Sequence, residues 1–311
     1  MTTAYIFPGQ GSQAVGMGKT LAVAFPAARA VFDEVDDALS QKLSMLMFEG
    51  PLDELTLTAN AQPALMAVSL AVIRVLEAEA GLDLKRDAAF VSGHSLGEYS
   101  ALAAAGTFSI ADAARLLRIR GDAMQKAVPA GEGAMAALLG AEFDLAKAIA
   151  TDAAQGQVCE VANDNGGGQV VISGAKAAIE RVIALAGERG VRRAMLLPVS
   201  APFHCSLMQP AAQAMQAALA DVAMQPPVVS VMANVGAAPL VEPDAIRASL
   251  VAQVTGTVRW RACVEAMTAA GVTRFVEAGS GKVLAGLVKR IAAGATPVSV
   301  GTAEDIAGYK P

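Results

Sequence analysis

Short apolar runs alternate with longer amphipathic stretches along this chain, and the alternation predicts a parallel sheet covered by helices on both faces. Ala4 to Phe7 is apolar and stops at Pro8-Gly9-Gln10-Gly11-Ser12-Gln13, after which a helical pattern occupies about Lys19 to Leu39. That reads as strand, loop, helix. A second helix is predicted over about Pro63 to Ala80, followed by a short buried strand at Ala88-Ala89-Phe90-Val91. The strand enters Ser92-Gly93-His94-Ser95-Leu96-Gly97, and helical sequence resumes from Glu98 to Ala105.

From about Gly133 to Val199 the rhythm changes. Strand Ala134–Leu139, helix Glu142–Ala153, strand Val158–Ala162, a loop at Asn163-Asp164-Asn165-Gly166-Gly167-Gly168, strand Gln169–Ser173, helix Lys176–Arg189 and strand Arg192–Leu197 follow in turn. The order βαββαβ is that of the ferredoxin-like unit. Helices at about Leu207–Val222 and Asp244–Val254, and strands near Val228–Met232 and Arg274–Glu277, return to the first pattern. The expected fold class is therefore α/β, with a large parallel-sheet, α/β hydrolase-like domain at 1–127 and 200–311. A small ferredoxin-like subdomain at 128–199 is inserted into it.

Composition narrows the chemistry. With 311 residues, 54% hydrophobic and 17% charged, the chain can bury a sizeable core. A formal net charge of -5 argues against a nucleic-acid partner, which would call for clustered Lys and Arg. Cys159, Cys205 and Cys263 lie far apart, and the two histidines are His94 and His204, so neither a metal site nor a disulfide framework is expected. The opening Met1-Thr2-Thr3-Ala4-Tyr5 has no basic leader region, and Gly, Pro or charge interrupts each apolar run. No membrane span is expected, and a reducing cytoplasm is the default setting.

Gly93-His94-Ser95-Leu96-Gly97 has the G-x-S-x-G form of a nucleophile elbow, with a strand before it and a helix after it. Glycines let the backbone turn sharply there, and the helix N-terminus brings N–H groups to a developing oxyanion. The alternative is an ordinary glycine-rich turn. A seryl hydroxyl needs a base, and His94 adjoins Ser95 on a turn where neighbouring side chains diverge. His204, in Ser200-Ala201-Pro202-Phe203-His204, is then the candidate base.

Ala113, Leu116, Leu117, Arg120 and Met124 share one helical stripe, so Arg120 points where apolar residues point. An arginine so placed calls for an anionic partner, either a structural carboxylate or a ligand. Two glycine patterns carry less. Gly9-x-Gly11 lacks the ribose-binding acid at the end of a second strand, because Asp33 and Glu34 fall inside a predicted helix, so no nicotinamide cofactor is expected. Gly279-Ser280-Gly281-Lys282 lacks the spacing of a phosphate loop and reads as a turn before the last large helix.

Phe7-Pro8-Gly9-Gln10-Gly11-Ser12-Gln13, Gly93-His94-Ser95-Leu96-Gly97-Glu98-Tyr99-Ser100-Ala101-Leu102 and Pro202-Phe203-His204 together resemble the malonyl-CoA:acyl carrier protein transacylase family. The resemblance extends through Gly131–Ala137, Gln169–Gly174 and Gly281–Leu284. It implies Ser95 as nucleophile, His204 as base, and an oxyanion hole from the N–H groups of Gln10 and Leu96. It further implies that the main-chain carbonyl of Gln253 orients His204, in place of a carboxylate, and that Arg120 grips the free carboxylate of malonyl. Independently, Gln253 falls on the stripe of Ile246, Leu250 and Val254, although a helix-end polar residue near Gly256 would look the same. Phe203, beside the base, would narrow the pocket against a 2-methyl branch.

The implied reaction takes malonyl-CoA as substrate, needs no bound cofactor or metal, and passes malonyl to acyl carrier protein. An acidic carrier would need a local basic patch, for which Lys289 and Arg290, with Lys282, are candidates, the alternative being a solvated helix face. An esterase of the α/β-hydrolase type would carry its histidine late, whereas residues 205–311 follow His204. A non-catalytic carrier-binding subunit, or a malonyl transferase of polyketide synthesis or malonate decarboxylation, are the other readings.

Overall fold

The computed structural model describes residues 1–199 and 201–310, so Ser200 and Pro311, which bound the large domain expected above, lie outside the described residues. Among the described residues ten strands form two sheets: β1 Thr3–Phe7, β2 Phe90–Gly93, β3 Gly133–Leu139, β4 Cys159–Gly166, β5 Gln169–Ala175, β6 Arg193–Leu196, β7 Val231–Met232, β8 Pro239–Leu240, β9 Arg274–Ala278 and β10 Thr296–Val300. The large sheet has the order β10-β9-β1-β2-β7-β8, parallel from β10 to β7, with β8 returning antiparallel as an edge. The small sheet has the order β4-β5-β3-β6, antiparallel throughout. Helices Phe143–Ala154 and Lys176–Glu188 follow β3 and β5, which completes βαββαβ.

Register decides which loops meet. Phe7 pairs with Gly93, so the loop after β1 and the turn after β2 leave the sheet side by side, at the carboxyl end where parallel sheets present their sites. Between the sheet and the helices lies one long apolar cluster containing Phe7, Leu65, Val72, Leu102 and Leu117. A second cluster, with Leu138, Ile149, Ile172 and Val182, fills the space under the small sheet.

Several elements differ from their expected bounds, each for a local reason. The stretch over Lys19–Leu39 is two helices, Lys19–Ala24 and Pro26–Leu39, because Phe25 is extended (φ -129°, ψ 120°) ahead of Pro26. The helix expected from Pro63 begins at Thr58, with Pro63 inside it. It is also long and apolar enough to cross a membrane, with a mean hydropathy of 1.4 in its window, although Pro63 and Arg74 interrupt its apolar run as expected. That window is 89% buried inside the protein, as the central helix of a large core would be. Of the glycine- and asparagine-rich segment expected as a loop, Gly167-Gly168 is the turn into β5, whereas Asn163 to Gly166 belongs to β4, whose register shifts at Val161/Asn163 and Asp164/Gly166 absorb it as bulges. Helix Trp260–Ala269 and edge strand β10 had no counterpart in the expected pattern.

Candidate active site

Gly93 ends β2, helix Gly97–Ala104 starts four residues later, and Ser95 sits between them with φ 54°. That left-handed conformation is uncommon for a residue with a side chain, and it is held by its surroundings. A Cβ on Gly93 would lie 1.9 Å from the carbonyl oxygen of Gly97, and one on Gly97 would lie 2.3 Å from that of Phe7, so both positions exclude any side chain. Asn234, two residues past β7, straps the turn. Its Oδ1 accepts from the Ser95 N–H at 2.8 Å, and its Nδ2 donates to the Gly93 carbonyl at 2.7 Å.

The seryl Oγ lies 2.7 Å from Nε2 of His204, and Nδ1 of that ring lies 2.9 Å from the main-chain oxygen of Gln253. A carbonyl only accepts, so Nδ1 carries the proton and Nε2 presents its lone pair to the hydroxyl. Burial, reinforced by the Arg120 charge, pushes His204 down to about 3 against the pull of its bond to Gln253. The imidazole is therefore a free base at neutral pH, and a seryl proton taken from Ser95 has a defined acceptor.

Arg120 is 1% exposed and belongs to helix Ile110–Lys126, capped at its start by Ser109. Its Nη1 donates to Gln62 Oε1 at 2.7 Å, and its Nη2 donates to Gln253 Oε1 at 2.9 Å and to Ser95 Oγ at 3.1 Å. The guanidinium lies 5.7 Å from the centre of the Tyr99 ring, and its Nε has no partner among the described residues. No carboxylate there comes within 4.0 Å of it, so the structural ion pair that sequence reasoning allowed is not formed.

Beside Ser95 opens a cavity of about 400 Å³. Gln10, Gly11, Gln62, Ser95, Arg120, Phe203 and His204 line it from the large-sheet side, and Met135, Asn163 and Leu197 from the small-sheet side. Phe203 is 8% exposed on its wall. Leu96 follows Ser95 directly at the start of the helix, and Gln10, on the loop after β1, lines the same cavity as Ser95. His94 turns away from Ser95, bonding Asn165 Oδ1 at 2.9 Å, and burial lowers its pKa. Lys289 and Arg290 are exposed in helix Val283–Ile291, away from the cavity lining, and Arg290 donates to Gln169 Oε1 at 3.3 Å. The thiols of Cys159, Cys205 and Cys263 are free and buried. Among the described residues no cluster of three or more His, Cys, Asp or Glu could hold a metal.

Four residues of the site escaped sequence reasoning: Gln62, Glu98, Asn163 and Asn234. Glu98 stood inside a quoted motif, but nothing in its spacing distinguished it from an exposed acid of a helix first turn. Asn234 carried no signal beyond being polar after an apolar run.

Residues 4–306 match the family described as the acyl transferase domain, the class in which this fold and this serine-centred site fall. A malonyl CoA-acyl carrier protein transacylase of Bacillus subtilis is 46% identical over 289 residues, covering 93% of this chain and 90% of that protein. The crystal structure of an acyl-carrier-protein-S-malonyltransferase from Bartonella henselae superposes with a TM-score of 0.97 at 58% identity, covering 99% of this chain and 98% of that one. A malonyl-transacylase solved in complex with its type II PKS acyl-carrier protein has a TM-score of 0.95 and 40% identity, covering 99% and 98%. The chain belongs to the malonyl CoA-acyl carrier protein transacylase family.

Proposed function

We propose that the protein transfers malonyl from malonyl-CoA to the phosphopantetheine thiol of an acyl carrier protein through an ester on Ser95. The observation that carries this reading is Arg120: a buried guanidinium with no carboxylate partner among the described residues, 3.1 Å from the seryl oxygen. An acyl group that ends in a carboxylate supplies a directly bonded anion, and a guanidinium can meet it with two parallel hydrogen bonds. The names of the relatives point to the same acyl group and carrier.

The reaction balances with these residues alone. Ser95 Oγ attacks the thioester carbonyl while its proton passes to Nε2 of His204, and the tetrahedral oxyanion rests on the N–H groups of Gln10 and Leu96. The C–S bond then breaks, and the coenzyme A sulfur takes the proton from His204. In the second half the carrier thiol gives its proton to His204 and attacks the Ser95 ester. Cleavage of the ester returns the proton to Oγ. The Gln253 carbonyl holds the imidazole in one tautomer throughout. Malonyl-CoA enters as substrate, and no step draws on a resident metal or organic cofactor.

Phe203 narrows the cavity against a 2-methyl branch. Lys289 and Arg290 steer an acidic carrier. We assign the reaction to fatty-acid synthesis in the cytoplasm. We take residues 1–127 and 200–311 as the catalytic domain and 128–199 as the inserted subdomain.

Intact-mass spectrometry tests the reading. The protein mixed with malonyl-CoA and acetyl-CoA should gain mainly one malonyl group, which added carrier removes, and Ser95→Ala should gain none. An adduct persisting on Ser95→Ala places the nucleophile elsewhere.

A further inference from the structure

We propose that Glu98 is a positioning residue and the buried counter-charge of Arg120, reached through the side-chain amide of Gln253. Glu98 lies in the first turn of helix Gly97–Ala104 and is 1% exposed. Its Oε2 accepts from Gln253 Nε2 at 2.8 Å and from the Asn234 N–H at 3.0 Å. The other end of the same amide, Gln253 Oε1, accepts from Arg120 Nη2 at 2.9 Å. The orientation of that amide is forced, because a guanidinium can only donate and an ionised carboxylate can only accept. Carboxylate, amide and guanidinium thus form one polarised chain in a water-poor interior, where such chains strengthen one another.

Each of the two groups that Glu98 holds also grips the nucleophile. Asn234 accepts from the Ser95 N–H, Gln253 Nε2 donates to the Ser95 carbonyl at 3.0 Å, and the Gln253 main-chain oxygen fixes His204. One carboxylate that touches none of the reacting atoms therefore sets the seryl backbone, the base and the guanidinium.

The arrangement has a consequence for acyl choice, and it rests on the reading of Arg120 as the malonyl clamp. A malonyl carboxylate at Arg120 competes with Glu98 for the same positive charge. Two buried carboxylates sharing one guanidinium are relieved when Glu98 takes up a proton. Preference for malonyl over acetyl should therefore fall as Glu98 ionises. Burial pushes the Glu98 carboxyl up to about 7 against its hydrogen bonds from Asn234 and Gln253 and the charge of Arg120. The groups facing it are Tyr99 on its own helix, Arg120 and Cys263 of helix Trp260–Ala269. Tyr99 and Cys263 are pushed up by burial, away from neutrality, and burial lowers Arg120 against the pull of Tyr99 and Glu98, though an arginine keeps its charge at neutral pH.

The test is the ratio of malonyl to acetyl adducts on Ser95, from competing thioesters at short times, between about pH 6 and about pH 8. Nucleophile and base are common to both reactions and cancel in the ratio. The wild-type ratio should fall roughly threefold to tenfold across that range. Glu98→Gln, which keeps an oxygen for both N–H donors and loses the charge, should hold the ratio high and flat. A flat wild-type ratio, or a Glu98→Gln variant with the wild-type slope, overturns the inference. The wild-type slope needs no variant and decides the matter even if Glu98→Gln folds poorly. Arg120→Ala separates the two readings. Its malonyl adduct should fall roughly tenfold to a hundredfold relative to its acetyl adduct. Unchanged malonyl preference in Arg120→Ala would sink the clamp itself, whereas lost preference alongside a flat wild-type ratio sinks only the role of Glu98.

Discussion

The two sheets solve opposite problems. Beneath the small sheet an apolar core of Ala136, Leu138, Ile149, Ile172, Ile179 and Val182 is packed between strands and helices. Behind Ser95, by contrast, Gln62, Glu98, Arg120, Asn234 and Gln253 are each at most 1% exposed and are cross-linked by hydrogen bonds. A buried polar group is costly unless it is bonded, so such a set persists only if nearly every member is satisfied. The small-sheet region supplies wall, through Met135, Asn163 and Leu197, and can be stabilised by hydrophobic burial alone. The contrast teaches that stability and chemistry are carried by different parts of this interior, and each variant below tests that separation.

The largest effect is expected from the polar side. His204→Ala should slow formation of the acyl-enzyme about a hundredfold to ten-thousandfold, read as coenzyme A release in a stopped-flow instrument, with the melting temperature little changed. A near-normal rate would remove His204 from the reaction. The same residue sets a pH signature. Its folded pKa, about 3, lies below the ordinary 6.5, so the neutral base persists as pH falls and protonation is deferred to the acid end. Acylation by acetyl-CoA, which offers Arg120 no carboxylate, should therefore stay flat between about pH 8 and about pH 5, whereas a loss centred on the ordinary imidazole value would show that the ring is solvated.

On the apolar side, Ile172→Ala should destabilise the protein by about 2–5 kcal/mol, measured by denaturant unfolding, because it leaves a cavity under β5. Acylation at a temperature where the fold persists should change little. A parallel loss of rate would break the comparison by coupling that core to the chemistry. The smallest effect belongs to the surface. Reversing Lys289 and Arg290 to Glu should weaken transfer to the carrier by roughly threefold to tenfold, and much more than acylation by malonyl-CoA. Equal changes in both half-reactions would return these residues to an ordinary solvated helix face.

Much of this was legible in local pattern. Strand β1, the serine turn and the βαββαβ order follow from apolar periodicity and glycine placement, which are properties of neighbouring residues. Arg120 was legible because a helix repeats every 3.6 residues, so a charge on the apolar stripe declares that it faces inward. The β4 segment was misread for the same reason. Asn163 to Gly166 carries turn residues, and pairing with β5 overrides that local preference by absorbing them as bulges.

The partners of each buried polar group were decided by tertiary structure. Parallel pairing of β1 with β2 sets the Gln10 loop beside the elbow, and β7 beside β2 brings Asn234 beneath Ser95. His204 on a loop and Gln253 on helix Pro243–Thr255, separated from Ser95 by 109 and 158 residues, reach it by a chain course that no local propensity encodes. The sequence by itself determined which residues turn inward and where the backbone can bend. Which inward groups satisfy one another, and so whether Glu98 is a solvated acid or the anchor of the site, depends on sheet register and chain crossing, which bring together atoms remote along the chain.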